Sequence, residues 1–157
     1  ADRLRARDVR IVFAESCTAG LASAALAGVP GVSAWHCGSA VTYREATKTA
    51  WLGVSAATIA ERNVVSREVA QEMAAGVLRI TPDATLAVAV TGHLGPDAPA
   101  ELDGLVHLAA ARRTPGDVAP LDTLAQRLAA HSRIDRQHEA AAIVLEFAAS
   151  CVERNSK

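Results

Sequence analysis

Residues 86–90, Leu-Ala-Val-Ala-Val, form an unbroken apolar run of strand length. A strand with no polar alternation offers no face to water, so it belongs inside a sheet that is covered on both sides. The run stops at Thr91-Gly92-His93-Leu94-Gly95-Pro96, which reads as a loop. A second run, Val9–Phe13 (VRIVF), also reads as a strand and stops at Ala14-Glu15-Ser16-Cys17-Thr18. From Ala19 to Leu26 the composition turns to Ala and Leu, good helix formers, until Gly28-Val29-Pro30-Gly31 ends the helix. Ser16 to Thr18 therefore occupy a strand-to-helix turn.

The same reading along the chain gives Ala34–Tyr43 as two short strands or one strand bulged at Gly38. Arg44–Leu52 and Ala56–Arg62 are helical. A longer helix runs from Ser66, which can cap it, to about Ile80, with Val69, Met73, Ala74 and Val77 at helical spacing. Leu105–Ala111 is a strand and Thr114–Pro120 a loop. Leu121–Ala130 is ambiguous, since Leu121, Leu124 and Leu128 suit a helix while the length also permits a strand. Ile134–Val152 is a final helix. Strands alternating with helices, without repeat or linker, predict a single-domain three-layer α/β/α sandwich over residues 1–157. Half the residues are hydrophobic but only 3% are aromatic, so its core is built from Ala, Val, Leu and Ile.

Net charge is −1 and no segment concentrates Lys and Arg, so no nucleic acid is expected as a partner. The four arginines of residues 2–10 are interleaved with two aspartates and read as a solvated helix. Three cysteines without a CxxC pair fit a reducing compartment. No apolar run is long enough to span a bilayer and no signal-peptide pattern is present, so a cytoplasmic protein without membrane contact is expected.

In open α/β sheets, ligands gather beyond strand ends. Ser16 lies there, before a helix whose free amides could stabilise an oxyanion; equally, serine and threonine before a helix are ordinary caps. A serine nucleophile needs a base. The five histidines make no triad signature and no GxSxG elbow is present. The chain holds only two lysines, Lys48 and Lys157, against 14 arginines. Lysine, unlike arginine, can lose its proton when desolvated. Tyr43, the only tyrosine, lies five residues earlier and could relay or orient a proton. The plain alternatives are an exposed helical lysine and a tyrosine in the strand core. No ligand spacing for a metal occurs, and the loop after Thr91 lacks the GK[ST] ending of a P-loop.

Five segments, taken together, resemble the carboxy-terminal domain of the CinA family, the nicotinamide mononucleotide deamidases. AESCTAGL (14–21) is similar to that family's AESCTGGL, and VPGVSAW (29–35) to VPGSSAW. VTYREATKTAWLGV (41–54) is similar to VTYSNEAKxxxLGV, VVSREVAQEMAAGVL (64–78) to AVSEEVAxEMAxGAL, and AVTGHLGPD (89–97) to AVTGIAGPD. The resemblance implies an α/β/α fold and hydrolysis of the amide of nicotinamide mononucleotide, without cofactor or metal. It casts Ser16 as nucleophile, Lys48 as base and Tyr43 as assistant. Thr18, Ala19, Gly20, Thr91 and Gly92 would line the site, and a small-molecule nucleotide would be the substrate of a homo-oligomer. The chain departs from the pattern at Ala19, where the family has glycine, and at Asp97-Ala98-Pro99, where it has DGG. The family's GDRxxxR segment is replaced by residues 130–136, in which Arg133 or Arg136 would grip the phosphate. That replacement leaves two alternatives open, a nucleotide-binding or regulatory module without turnover and an amidase for a different amide.

Overall fold

In the computed structural model, which describes residues 1–154, the Leu86–Val90 run is the heart of strand β3 (Leu86–Gly92), buried from Leu86 to Thr91. β3 sits between β1 (Ile11–Glu15), parallel to it, and β4 (Leu105–Thr114), antiparallel to it. β2 (His36–Val41) lies beyond β1 and β5 (Asp117–Arg127) beyond β4, giving the order β2-β1-β3-β4-β5. The sheet is thus mixed, with a parallel β2-β1-β3 half and an antiparallel β4-β5 hairpin.

The two-residue period of a strand divides the core into two. Ile11, Phe13, Leu86, Val88, Val90, Val106 and Leu108 face one side. There they meet Leu4 of α1 (Asp2–Arg7), Leu26 of α2 (Leu21–Ala27) and Val144, Phe147 and Cys151 of α6 (Arg133–Arg154). Val12, Ala14, Ala87, Ala89, Ala109 and Ala111 face the other, against Leu52 of α3 (Glu45–Leu52) and Val69, Met73 and Val77 of α5 (Arg67–Arg79). α4 (Ala56–Arg62) covers this side with Ile59 alone. The result is the three-layer α/β/α arrangement expected. On its α5 side the sheet offers mainly alanine, and helices pack closely there. At Gly76, where α5 crosses α3, an added Cβ would lie 2.0 Å from the Leu52 carbonyl oxygen.

Several boundaries differ from the sequence reading. β1 starts and ends two residues later, because Ala14 and Glu15 still pair with Ala40 and Val41 on one side and with Ala89 and Val90 on the other. β2 is one strand, with a register shift beside Gly38. The expected Thr114–Pro120 loop shrinks to Pro115-Gly116, with Gly116 at φ 82° turning β4 directly into β5. The ambiguous Leu121–Ala130 segment is a strand as far as Arg127. Its helix-like spacing has a local cause. Pro120 and Asp122 pair with consecutive β4 residues, so Leu121 is an extra residue that shifts the strand's phase. Leu121 and Leu124, three apart, then pack against the same core. Among the described residues, no helix is long and apolar enough to cross a membrane.

Candidate active site

The three parallel strands end on the same side of the sheet, and each delivers part of one cleft. β1 runs into Ser16 and Cys17. β2 runs through Thr42 and Tyr43 into α3, which carries Lys48. β3 ends at Thr91-Gly92, followed by His93 and Leu94. The cleft between them has a volume of about 660 Å3, and Arg133 from the start of α6 reaches its wall.

At its floor, Lys48 Nζ donates to Ser16 Oγ at 2.8 Å. The same amine donates to the Thr42 carbonyl at 2.7 Å and more distantly to the Tyr43 carbonyl at 3.4 Å. Lys48 is only 1% exposed and Ser16 7%. Burial disfavours the ammonium and lowers the Lys48 pKa from 10.5 to about 8, although the negative charge of Glu45 pulls it partly back. A basic form is therefore within reach near neutral pH, and its lone pair faces a serine hydroxyl. The neighbouring Cys17 is a poor rival nucleophile, because burial pushes its thiol up to about 12 and keeps it protonated.

The turn that presents Ser16 is held in a way the sequence did not suggest. Neither Ser16 nor Thr18 caps α2; its N-cap is Gly20, which provides no side-chain cap. The cap comes from Glu15, which is 0% exposed. Its Oε2 accepts from the Thr18 hydroxyl (2.7 Å) and the amides of Gly20 (3.0 Å) and Ala22 (3.2 Å). Its Oε1 accepts from the Ser23 amide (3.0 Å) and the Ser39 hydroxyl of β2 (3.1 Å). The α2 amides expected to face an oxyanion are therefore bound to Glu15. The detectable signal was an acidic residue at the end of an apolar strand, followed by small residues rich in donors.

The other expected site residues separate into those at the cleft and those elsewhere. Thr91 and Gly92 line it, though the Thr91 hydroxyl donates to the Val64 carbonyl at 2.9 Å. An added Cβ at Gly92 would come within 2.5 Å of Val106 Cγ1. Tyr43 stands on the rim, 52% exposed, which overturns the reading of it as a strand core residue. Its hydroxyl accepts from Arg133 Nη2 at 2.6 Å, so it meets Lys48 through the main chain and not through the phenol. Arg133 also donates to the Gly95 carbonyl. Thr18, Ala19 and Gly20 are not brought to the cleft wall. Thr18 faces Glu15, while Ala19 (φ 53°) and Gly20 (φ 96°) carry the left-handed backbone of the turn. Arg136 does not reach the cleft either. Its guanidinium holds Asp103 with two bonds, at 2.7 and 2.9 Å, and donates to the Ala130 carbonyl at 2.8 Å. A chelating carboxylate in the adjoining loop thus decides which arginine is left for a ligand. His93, in the loop at the end of β3, joins the cleft wall; not anticipated was Gln137, whose Nε2 donates to the Cys17 carbonyl at 3.1 Å. Among the described residues, no group of three or more His, Cys, Asp or Glu could hold a metal ion.

The CinA C-terminal domain family matches residues 1–152. A CinA-like protein of Chlorobium phaeovibrioides is 40% identical over 121 residues, covering 76% of this chain and 28% of that protein. The nicotinamide-nucleotide amidohydrolase PncC of Enterobacter agglomerans is 44% identical over 94 residues, covering 60% of this chain and 57% of that protein. The chain thus spans about a quarter of the CinA-like relative and little more than half of the amidohydrolase. Among solved structures, a CinA superfamily protein of Klebsiella pneumoniae 700603 superposes with TM-score 0.86 at 28% identity, over 97% of this chain and 92% of that one. The competence/damage inducible protein CihA of Agrobacterium tumefaciens gives 0.85 at 34% identity, over 96% and 89%.

Proposed function

The chain belongs to the CinA C-terminal domain family, and from that premise we propose that it is an amidase that converts nicotinamide mononucleotide to nicotinate mononucleotide and ammonia. The observation that carries the reading is the 2.8 Å contact between a buried amine and a serine hydroxyl at the strand ends. The relative named nicotinamide-nucleotide amidohydrolase supports the choice of substrate.

In this mechanism the neutral Lys48 amine takes the Ser16 proton as Oγ attacks the carboxamide carbon. The resulting ammonium then protonates the departing nitrogen; the C–N bond breaks, ammonia leaves and an acyl ester remains on Ser16. Lys48, neutral again, takes a proton from a water that attacks the ester and returns it to Ser16 Oγ as nicotinate mononucleotide departs. The oxyanion must be met by an amide that Glu15 does not hold. That of Cys17, which lines the cleft next to the nucleophile and to which no carbonyl of the described residues is bonded, is in place for it. Arg133, at the cleft wall, is the cation for the substrate phosphate.

Ammonia release from nicotinamide mononucleotide by the purified protein tests this, with Ser16→Ala and Lys48→Ala expected to abolish it. Wild-type protein that releases none refutes the substrate assignment. A second reading, an amidase for a different carboxamide, is favoured by the capture of Arg136 by Asp103, which leaves one arginine of that segment for an anion. A panel including nicotinamide itself separates the two.

A further inference from the structure

A buried acid, Glu15, and a buried base, Lys48, flank Ser16 in space, and they do not pair. Lys48 bonds to the Ser16 hydroxyl and to main-chain carbonyls. Glu15 is enclosed by three amides and two hydroxyls, every one of them a donor. Had the carboxylate met the amine, the ion pair would have held Lys48 protonated and removed its lone pair from use. We propose that Glu15 is a positioning residue for the Ser16 nucleophile: its buried carboxyl group gathers the Ser16 turn, the start of α2 and β2 into one cluster, and so fixes the hydroxyl against the Lys48 amine. The inference rests on the serine–lysine reading, but not on the identity of the substrate.

The geometry explains why a carboxylate does this and an amide of the same shape would not. Glu15 is the last residue of β1, and its backbone is held by β2 and β3. Ser16 is the next residue, with its amide bonded to the Val90 carbonyl at 3.1 Å. On the far side of the nucleophile, Thr18 and Gly20 are pulled back onto Oε2. The turn between them must pass through Ala19 at φ 53°, a left-handed conformation that a residue with a Cβ adopts only under constraint. Ser39 ties Oε1 to β2, the strand that leads into Thr42, whose carbonyl holds the Lys48 amine. One side chain therefore references both members of the dyad to a common point. A glutamine keeps the shape but presents an NH2 where donors already point. If its oxygen takes the Oε2 position, the NH2 faces the Ser23 amide; if reversed, it faces those of Gly20 and Ala22. Either way a donor is left against a donor and the turn shifts.

The test reads the reactivity of the serine without any substrate. A fluorophosphonate phosphonylates an activated serine oxygen with loss of fluoride, and mass spectrometry locates the adduct. Wild type, Glu15→Gln, Thr18→Val and Ser39→Ala are labelled at 25 °C after circular dichroism has shown each to be folded. We expect Glu15→Gln to label at least 100-fold more slowly, and Thr18→Val and Ser39→Ala at least 5-fold more slowly. For a substrate the wild type turns over, kcat should fall with KM within threefold. A purely structural role lowers the melting temperature but leaves the labelling rate of the folded protein alone. Folded Glu15→Gln labelled within threefold of wild type overturns the proposal. Should Glu15→Gln not fold, the other two variants decide by the same threefold limit. Wild type that is labelled at Ser16 yet releases no ammonia defeats only the substrate assignment; wild type that is not labelled defeats the dyad and this inference with it.

Discussion

Replacing Lys48 by methionine separates what the amine does for catalysis from what it does to stability. The side chain is buried, and its pKa falls from 10.5 to about 8 chiefly through desolvation. That drop is worth about 3 kcal/mol. Below pH 8 the folded protein carries the whole penalty, because the amine is protonated in both states. As pH rises from 8 to 10.5 the folded amine is neutral while the unfolded one still binds a proton. The unfolded state then binds more protons, so stability rises with pH and the penalty is gone above 10.5. Methionine carries no such penalty at any pH. It forfeits the bonds to Ser16 and Thr42, which offsets about 1–2 kcal/mol. Lys48→Met is therefore expected to be inactive yet more stable than wild type at pH 7, by about 1–2 kcal/mol. The advantage should shrink by about 3 kcal/mol between pH 7 and 10.5 and so reverse. Urea denaturation of both proteins across that range measures it, and all other titrating groups are common to the pair. Parallel stability curves from pH 7 to 10.5 would show that the amine is not desolvated as described. In the wild type, activity should rise through an apparent pKa of about 8.

Ala19→Gly should stabilise the protein by about 1 kcal/mol, since φ 53° carries no penalty for glycine; an unchanged or lower melting temperature contradicts this. Gly76→Ala should cost at least about 2 kcal/mol, because its Cβ would meet the Leu52 carbonyl at 2.0 Å and force α5 away from α3; chemical denaturation reads it. Arg133→Ala should raise KM for a phosphorylated amide with little change in kcat. Arg136→Ala should instead lower the melting temperature while leaving KM of the folded enzyme alone; a reversed pattern would mean that the two arginines have been assigned the wrong way round. A chelator such as EDTA should leave the rate unchanged, since neither proton transfer nor attack in the serine–lysine scheme uses a metal; inhibition that zinc or magnesium restores would contradict the scheme.

Residues 86–90 and 9–13 announced their strands because an apolar run of that length has few other uses, and the three layers followed from the alternation of strand with helix. Lys48 stood out as a lone lysine among arginines, and Ser16 as a small polar residue at a strand end. Neither observation could join them, because they are 32 residues apart in the chain and their contact exists only where β1 and β2 pair. The β5 segment was ambiguous for a related reason: its leucine spacing reflects a phase shift imposed by pairing with β4, a non-local event. The division of labour among the charged residues was equally invisible. Local sequence sets which side chains a turn or helix carries. Which donors meet which acceptors is settled only when separate elements pack, because a hydrogen bond depends on a few tenths of an ångström that no pattern along the chain encodes. Thus Glu15 became the cap of α2, Arg136 the partner of Asp103, and Arg133 the one of the two α6 arginines that lines the cleft.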